Sequence, residues 1–163
     1  MANNKMIIPP KPSEFAELQL FKYIWHKSNK RSFISGLVLR DFEGTDLWHN
    51  MFMHVLPKGQ NKYPHFKYYG RNIILGTPNE HHLLDNGTED QRISYALDVE
   101  EKSGGKNTAD WAKVKALEEE LKLEYKKNFP TTKGILIGYK YTIWDVQEIV
   151  GKLNKVFFDN LGK

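Results

Sequence analysis

The 163-residue chain contains no cysteine. That absence excludes disulfides, thiolate zinc sites and cysteine nucleophiles, and it fits a cytosolic protein. Long hydrophobic runs are missing too. Each apolar run ends at a charge after a few residues, so no segment reads as a membrane span. The polar amino terminus is unlike a signal peptide. Acidic residues are absent from two stretches. Between Asp46 and Glu80 the only charges are Lys58, Lys62, Lys67 and Arg71; from Leu18 to Arg40 they are Lys22, Lys27, Lys30, Arg31 and Arg40. Residues 1–79 hold eleven Lys/Arg against five Asp/Glu, and residues 80–163 hold thirteen against fifteen, within a net charge of +4. A basic half of this kind suits a polyanion, because each Lys or Arg set against a phosphate releases a condensed counterion. An ordinary solvated surface has the same composition.

The length suits one domain with a real core. Pro9, Pro10 and Pro12 predict an extended arm over 1–12, and Ser13 is a good cap for a helix over 14–28. Arg31 to Leu39 reads as two short strands around a Ser35-Gly36 turn. Asp41 to Asp46 reads as a polar turn, 47–56 as a strand, 57–70 as a basic, aromatic loop and 72–75 as a second strand. A helix opens immediately afterwards. Thr77 is its cap, Pro78 its first residue, and Glu80 completes a capping box. Thr88 to Gln91 is a second capping box, opening a helix to about Leu97, and 98–107 reads as a flexible loop. A long helix is predicted over 108–127, ended by Pro130. Residues 134–138 form a short apolar run, and Thr142 caps a last helix.

The informative segment is Phe52-Met53-His54-Val55-Leu56-Pro57-Lys58-Gly59 followed by Arg71-Asn72-Ile73-Ile74-Leu75-Gly76-Thr77-Pro78-Asn79-Glu80-His81-His82-Leu83-Leu84-Asp85. A His closes one apolar strand, an Asn opens the next, and a capped helix carries His in its first turns. This order resembles the HNH nuclease family, and most of all small HNH proteins of phages and their hosts. The resemblance covers about residues 31–86. It implies a ββα-metal unit preceded by a β-hairpin. With the flanking α-helices read from the residue pattern, including a helical extension over about 106–163 that lies outside the resemblance, the expected fold is α+β. Many relatives carry a zinc-binding cysteine knuckle in the hairpin region. With no cysteine here, the hairpin is expected to be held by packing alone.

The resemblance also implies roles. His54 is the candidate general base, since an imidazole is well suited to proton transfer near neutrality. Asn72 is the candidate orienting residue, holding the loop and often the catalytic His. His81 and Asp85 occupy the positions of two helix-borne metal ligands, and an i, i+4 pair projects from one helix face. His82 becomes the ligand if the helix register shifts by one. The expected cofactor is one divalent ion, Mg²⁺ or Mn²⁺, with Zn²⁺ or Ni²⁺ also compatible. Lys58, Lys62, Lys67 and Arg71 are candidate phosphate contacts. Tyr63, His65, Phe66, Tyr68 and Tyr69 lie among them as stacking partners or core. Many family members have Asp or His before the catalytic His, where this chain has Met53. Asp46 or His49 reaching in, or waters and phosphate oxygens, would complete the shell. The implied function is metal-dependent hydrolysis of phosphodiester bonds in nucleic acid, DNA being the expected partner, in the cytoplasm (the host's, if phage-encoded). The alternative is a catalytically inactive HNH-like module that binds nucleic acid or inhibits a protein. The run Glu118-Glu119-Glu120 reads as a solvated helix face.

Overall fold

The structure, a computed structural model, describes residues 14–57, 62–130 and 141–161. The proline arm, the Ser13 cap, Lys58 and the apolar run 134–138 lie outside the described residues. The fold is mixed helix and sheet. Its elements are α1 (Glu14–Lys27), α2 (Asp46–His49), β1 (Phe52–His54), β2 (Ile73–Leu75), α3 (Pro78–Asn86), α4 (Glu89–Lys102), α5 (Trp111–Asn128) and α6 (Ile143–Asp159), with 3₁₀ turns at Pro64–Phe66 and Gly70–Asn72. Among the described residues no helix is long and apolar enough to cross a membrane. The chain divides into two compact units: a strand unit of Trp25–Val55 and Ile73–Glu119, and a helical unit of Met1–Ile24, Leu56–Asn72 and Glu120–Lys163.

In the strand unit, β1 and β2 pair antiparallel with Phe52 opposite Leu75, Met53 opposite Ile74 and His54 opposite Ile73. All three β2 residues are buried, as an uninterrupted apolar run requires. The strand expected over 47–56 is shorter than its pattern. The Thr45 side chain accepts the Trp48 N–H and starts the one-turn helix α2. That turn buries Trp48 completely, with its ring 6.1 Å from Trp25 and 4.7 Å from Phe52. Local capping and aromatic burial thus override strand propensity at 46–49.

The hairpin expected at 31–39 is reduced to its turn. Gly36 has φ 77°, which only glycine adopts freely, and Arg31 and Val38 form an isolated bridge. The ladder stops there because the Phe33 N–H goes instead to the Leu75 carbonyl at 2.8 Å. Helix α4 runs a full turn beyond Leu97, since Val99 is buried and anchors it. Helix α5 starts three residues later than Thr108. Ala109 is buried and the Asp110 N–H binds the Ile34 carbonyl at 2.8 Å, which holds 108–110 out of the helix.

The core of the helical unit is aromatic. Phe66 and Phe129 are fully buried and Tyr125 nearly so, with Phe66 and Tyr125 rings 4.8 Å apart. Asn154 of α6 clamps the loop backbone. Its Oδ1 accepts the Gly70 N–H at 2.7 Å and its Nδ2 donates to the Tyr68 carbonyl at 2.9 Å. A side chain at Gly70 would meet the Phe158 ring, the nearest atom 2.5 Å from the added Cβ.

Candidate metal and catalytic residues

His54 is the last residue of β1 and is half-buried opposite Ile73. In the same unit, the reciprocal capping box fixes the start of α3. Thr77 Oγ1 accepts the Glu80 N–H at 3.1 Å, and Glu80 Oε1 accepts the Thr77 N–H at 2.9 Å. The helical register then brings His81 and Asp85 together. His81 Nε2 lies 3.1 Å from Asp85 Oδ2, and His81 Nδ1 lies 2.9 Å from the Asn50 carbonyl oxygen. His82 is exposed on another side of the helix.

This triple arrangement has a chemical consequence. Both neighbours of the imidazole are acceptors, and a neutral imidazole has one N–H. If Nδ1–H donates to Asn50, Nε2 and the Asp85 carboxylate face each other as two lone pairs. The contact is then favourable with a hydrogen on Nε2 or with a metal ion bound by both atoms; in the other neutral tautomer Nε2–H donates to Asp85 and Nδ1 faces the carbonyl. A separation of 3.1 Å matches the edge of about 3 Å between adjacent ligands that each sit ~2.1 Å from one ion. The backbone carbonyl behind Nδ1 is the usual outer partner of a ligating His. The 3.1 Å separation is also that of an ordinary N–H···O hydrogen bond, and the pair offers two donor atoms to a divalent ion. Among the described residues no group of three or more His, Asp or Glu side chains could hold one. Met53, where many HNH proteins have a ligand, is fully buried, and a Cβ on Gly76 would strike its Cε.

Asn72 belongs to the helical unit and is fully buried. Its Oδ1 accepts the Leu56 N–H at 2.7 Å, and its Nδ2 donates to the Leu56 and Phe66 carbonyls, each at 3.2 Å. The amide thus ties the backbone of Leu56 to that of Phe66. Of the basic residues in that loop, Lys62 is exposed. Lys67 Nζ lies 5.6 Å from the Tyr68 ring centroid. Arg71 is otherwise engaged: its guanidinium binds Glu120 and Glu124, the latter at 3.1 Å. Its pKa is raised: burial opposes the charge, and the bonds to Glu124 and Glu120 outweigh it. Arg71 is therefore a neutralised structural cation, and Glu120 is not simply part of a solvated face.

The loop aromatics are largely core. Phe66 and Tyr69 are buried, and Tyr63 and His65 pack on Tyr125. Tyr69 donates to Glu124 at 3.0 Å, and burial with that carboxylate holds its phenol above the ordinary range.

Four residues of the strand unit carry a feature that the sequence pattern did not single out. Glu80 is fully buried. Besides the Thr77 N–H it accepts Ser32 Oγ–H at 2.6 Å, Ser35 Oγ–H at 2.5 Å and Tyr95 Oη–H at 2.7 Å. The turn at 31–38 is held by these bonds as well as by packing, which corrects the expectation of packing alone. The capping box signalled Glu80, but its hydroxyl partners 48 and 45 residues earlier had no local signal. Comparison with protein-family models, with curated proteins and with solved structures gives no match for this chain.

Proposed function

We propose that the chain is a metal-dependent HNH-type endonuclease, built on a ββα-metal unit, that hydrolyses phosphodiester bonds in nucleic acid, with DNA as the expected substrate. The observation that carries this reading is the His81–Asp85 pair. An imidazole is held from behind by a carbonyl and turned onto a carboxylate at ligand-edge distance, on a capped helix that follows a two-stranded sheet whose first strand ends in His54.

In this reading His54 takes the proton from the attacking water, a role worth ~10²–10⁴-fold. His81 Nε2 and Asp85 Oδ2 hold a divalent ion, Mg²⁺ or Mn²⁺ in the first instance, with waters and phosphate oxygens as the remaining ligands. When bound, that ion supplies charge neutralisation at the phosphate and at the leaving oxygen. Asn72 ties the Leu56 backbone to that of Phe66, and Lys62 and Lys67 contribute phosphate contacts. Lys58 belongs to the same acid-free stretch.

The burial of Met53 and the two-residue donor set favour a second reading, a non-catalytic HNH-like binder. A cleavage panel separates the two. Single- and double-stranded DNA and RNA are incubated with the protein in Mg²⁺, Mn²⁺, Zn²⁺, Ni²⁺ or EDTA. Cleavage in a divalent ion that EDTA abolishes supports the nuclease. Retention of nucleic acid without cleavage in any ion supports the binder.

A further inference from the structure

Among the described residues three capping boxes occur, and one of them is built differently. Gln91 and Asp145 complete theirs on the surface, each accepting only its cap N–H among the contacts described. Capping therefore needs no burial. Glu80 completes its box with a carboxylate at 0% exposure and takes three hydroxyl donors besides. The four donors fill the four acceptor positions of the carboxylate. Among the described residues no ion pair holds it.

The donors are themselves constrained. Ser32 Oγ accepts the N–H groups of Ile34 and Ser35, each at 3.0 Å, so its own hydrogen is committed to Glu80. Tyr95 has its pKa raised, first by burial, with the Thr77 hydroxyl opposing and Glu80 reinforcing, and it remains a donor. Gly76 admits this arrangement, since a Cβ there would lie 2.8 Å from Glu80 Oε1. The turn that supplies Ser32 and Ser35 is bonded to β2 through the Phe33 N–H. It is also bonded to Asp110, just before α5, through the Ile34 carbonyl, and Lys113 of α5 donates to the Phe33 carbonyl at 2.9 Å.

We propose that Glu80 is a positioning residue: its hydroxyl-bonded carboxylate locks the rotation of α3, so that His81 stands against the Asn50 carbonyl with Nε2 turned to Asp85. A buried carboxylate adds little net stability over apolar packing, but its bonds are directional. Four donors from three segments fix the first turn of the helix at one angle. His81, the next residue, inherits that angle. The catalytic consequence rests on the metal-binding reading above; the effect on the His81 imidazole does not.

Glu80→Gln keeps the shape and tests the direction of the bonds. The Thr77 backbone N–H cannot reverse, so the amide oxygen must stay on its side and the amide NH₂ then faces Ser35 and Tyr95. Nitrogen-15 NMR of the metal-free protein reads the imidazole directly. In the wild type His81 should give one pair of ring-nitrogen shifts, set by the Asn50 carbonyl on one side of the ring and Asp85 on the other. In folded Glu80→Gln those shifts should move to an average of tautomers, while Mn²⁺ affinity stays within about threefold because both ligands ride on one helix. On cleaved substrate kcat should fall at least ~10-fold with KM little changed, as misplacement of about 1 Å costs up to ~10²-fold. Unchanged His81 shifts in the folded variant would overturn the proposal. If Glu80→Gln does not fold, Ser35→Ala, which removes one donor, is read by the same shifts: displaced supports it and unchanged overturns it. Wild-type protein that cuts nothing in any ion would defeat the nuclease reading and leave the NMR result to decide this one.

Discussion

Replacing Asn72 tests the hydrogen-bond account of the loop quantitatively. The side chain is fully buried and makes three bonds, one short to the Leu56 N–H and two longer to the Leu56 and Phe66 carbonyls. Asn72→Ala strips all three backbone groups of this partner. A buried N–H left unpaired costs ~1–3 kcal/mol, and the 3.2 Å carbonyl bonds are weaker contributors. The total should be roughly 2–4 kcal/mol, which lowers Tm by about 5–15 °C in a chain of this size. Asn72→Asp is the sharper probe. It preserves shape and the bond from Leu56 N–H but turns an oxygen toward two carbonyls. The new carboxyl should have a folded-state pKa above its unfolded value of about 3.9, because its ionised form is repelled there. The folded state then binds more protons between those two values, so the variant loses stability as pH rises through that window and regains it on acidification. Urea denaturation of wild type and both variants at pH 7 and at mildly acidic pH measures this. Asn72→Asp matching wild type at pH 7 would refute the amide orientation and the clamp built on it.

Calorimetric titration of Mn²⁺ should show binding lost in His81→Ala and in Asp85→Ala but kept in His82→Ala; loss in His82→Ala alone would shift the ligand register by one residue. The slope of log K against log salt for nucleic acid should fall by about one unit in Lys62→Ala and in Lys67→Ala, and by less in Arg71→Ala, whose charge Glu120 and Glu124 already hold. Equal effects of all three would mean that Arg71 leaves its carboxylates on binding. The phenols of Tyr69, Tyr95 and Tyr125 are all pushed up, burial being the largest cause in each. The folded state therefore keeps protons that the unfolded chain releases above about pH 10, and stability should decline as pH rises beyond that value. Phenolate absorbance and circular dichroism followed together should change in one cooperative step; tyrosines that titrate without loss of structure would contradict it.

Elements with strong local chemistry were legible in the sequence. Thr77-Pro78 with Glu80, Thr88 with Gln91 and Thr142 with Asp145 each mark a helix start within hydrogen-bond reach of the residues concerned, and all three boxes form. The i, i+4 pairing of His81 with Asp85 and the exposure of His82 follow from the same register. What the pattern missed depends on distant partners. The strand reading of 47–56 failed because Trp48 is claimed by Trp25, which no period within the segment records. Arg71 looked like a phosphate contact because its own neighbourhood is acid-free; Glu120 and Glu124 lie about fifty residues further on. Ser32 and Ser35 looked like turn residues and nothing more, since the carboxylate they serve is on another element.

The most direct test of the central claim is single-turnover cleavage by wild type and His54→Ala, with nucleic-acid binding measured on the same preparations. The account predicts Mg²⁺- or Mn²⁺-dependent cleavage that falls ~10²–10⁴-fold in His54→Ala while binding is unchanged. Cleavage by His54→Ala at the wild-type rate would contradict it.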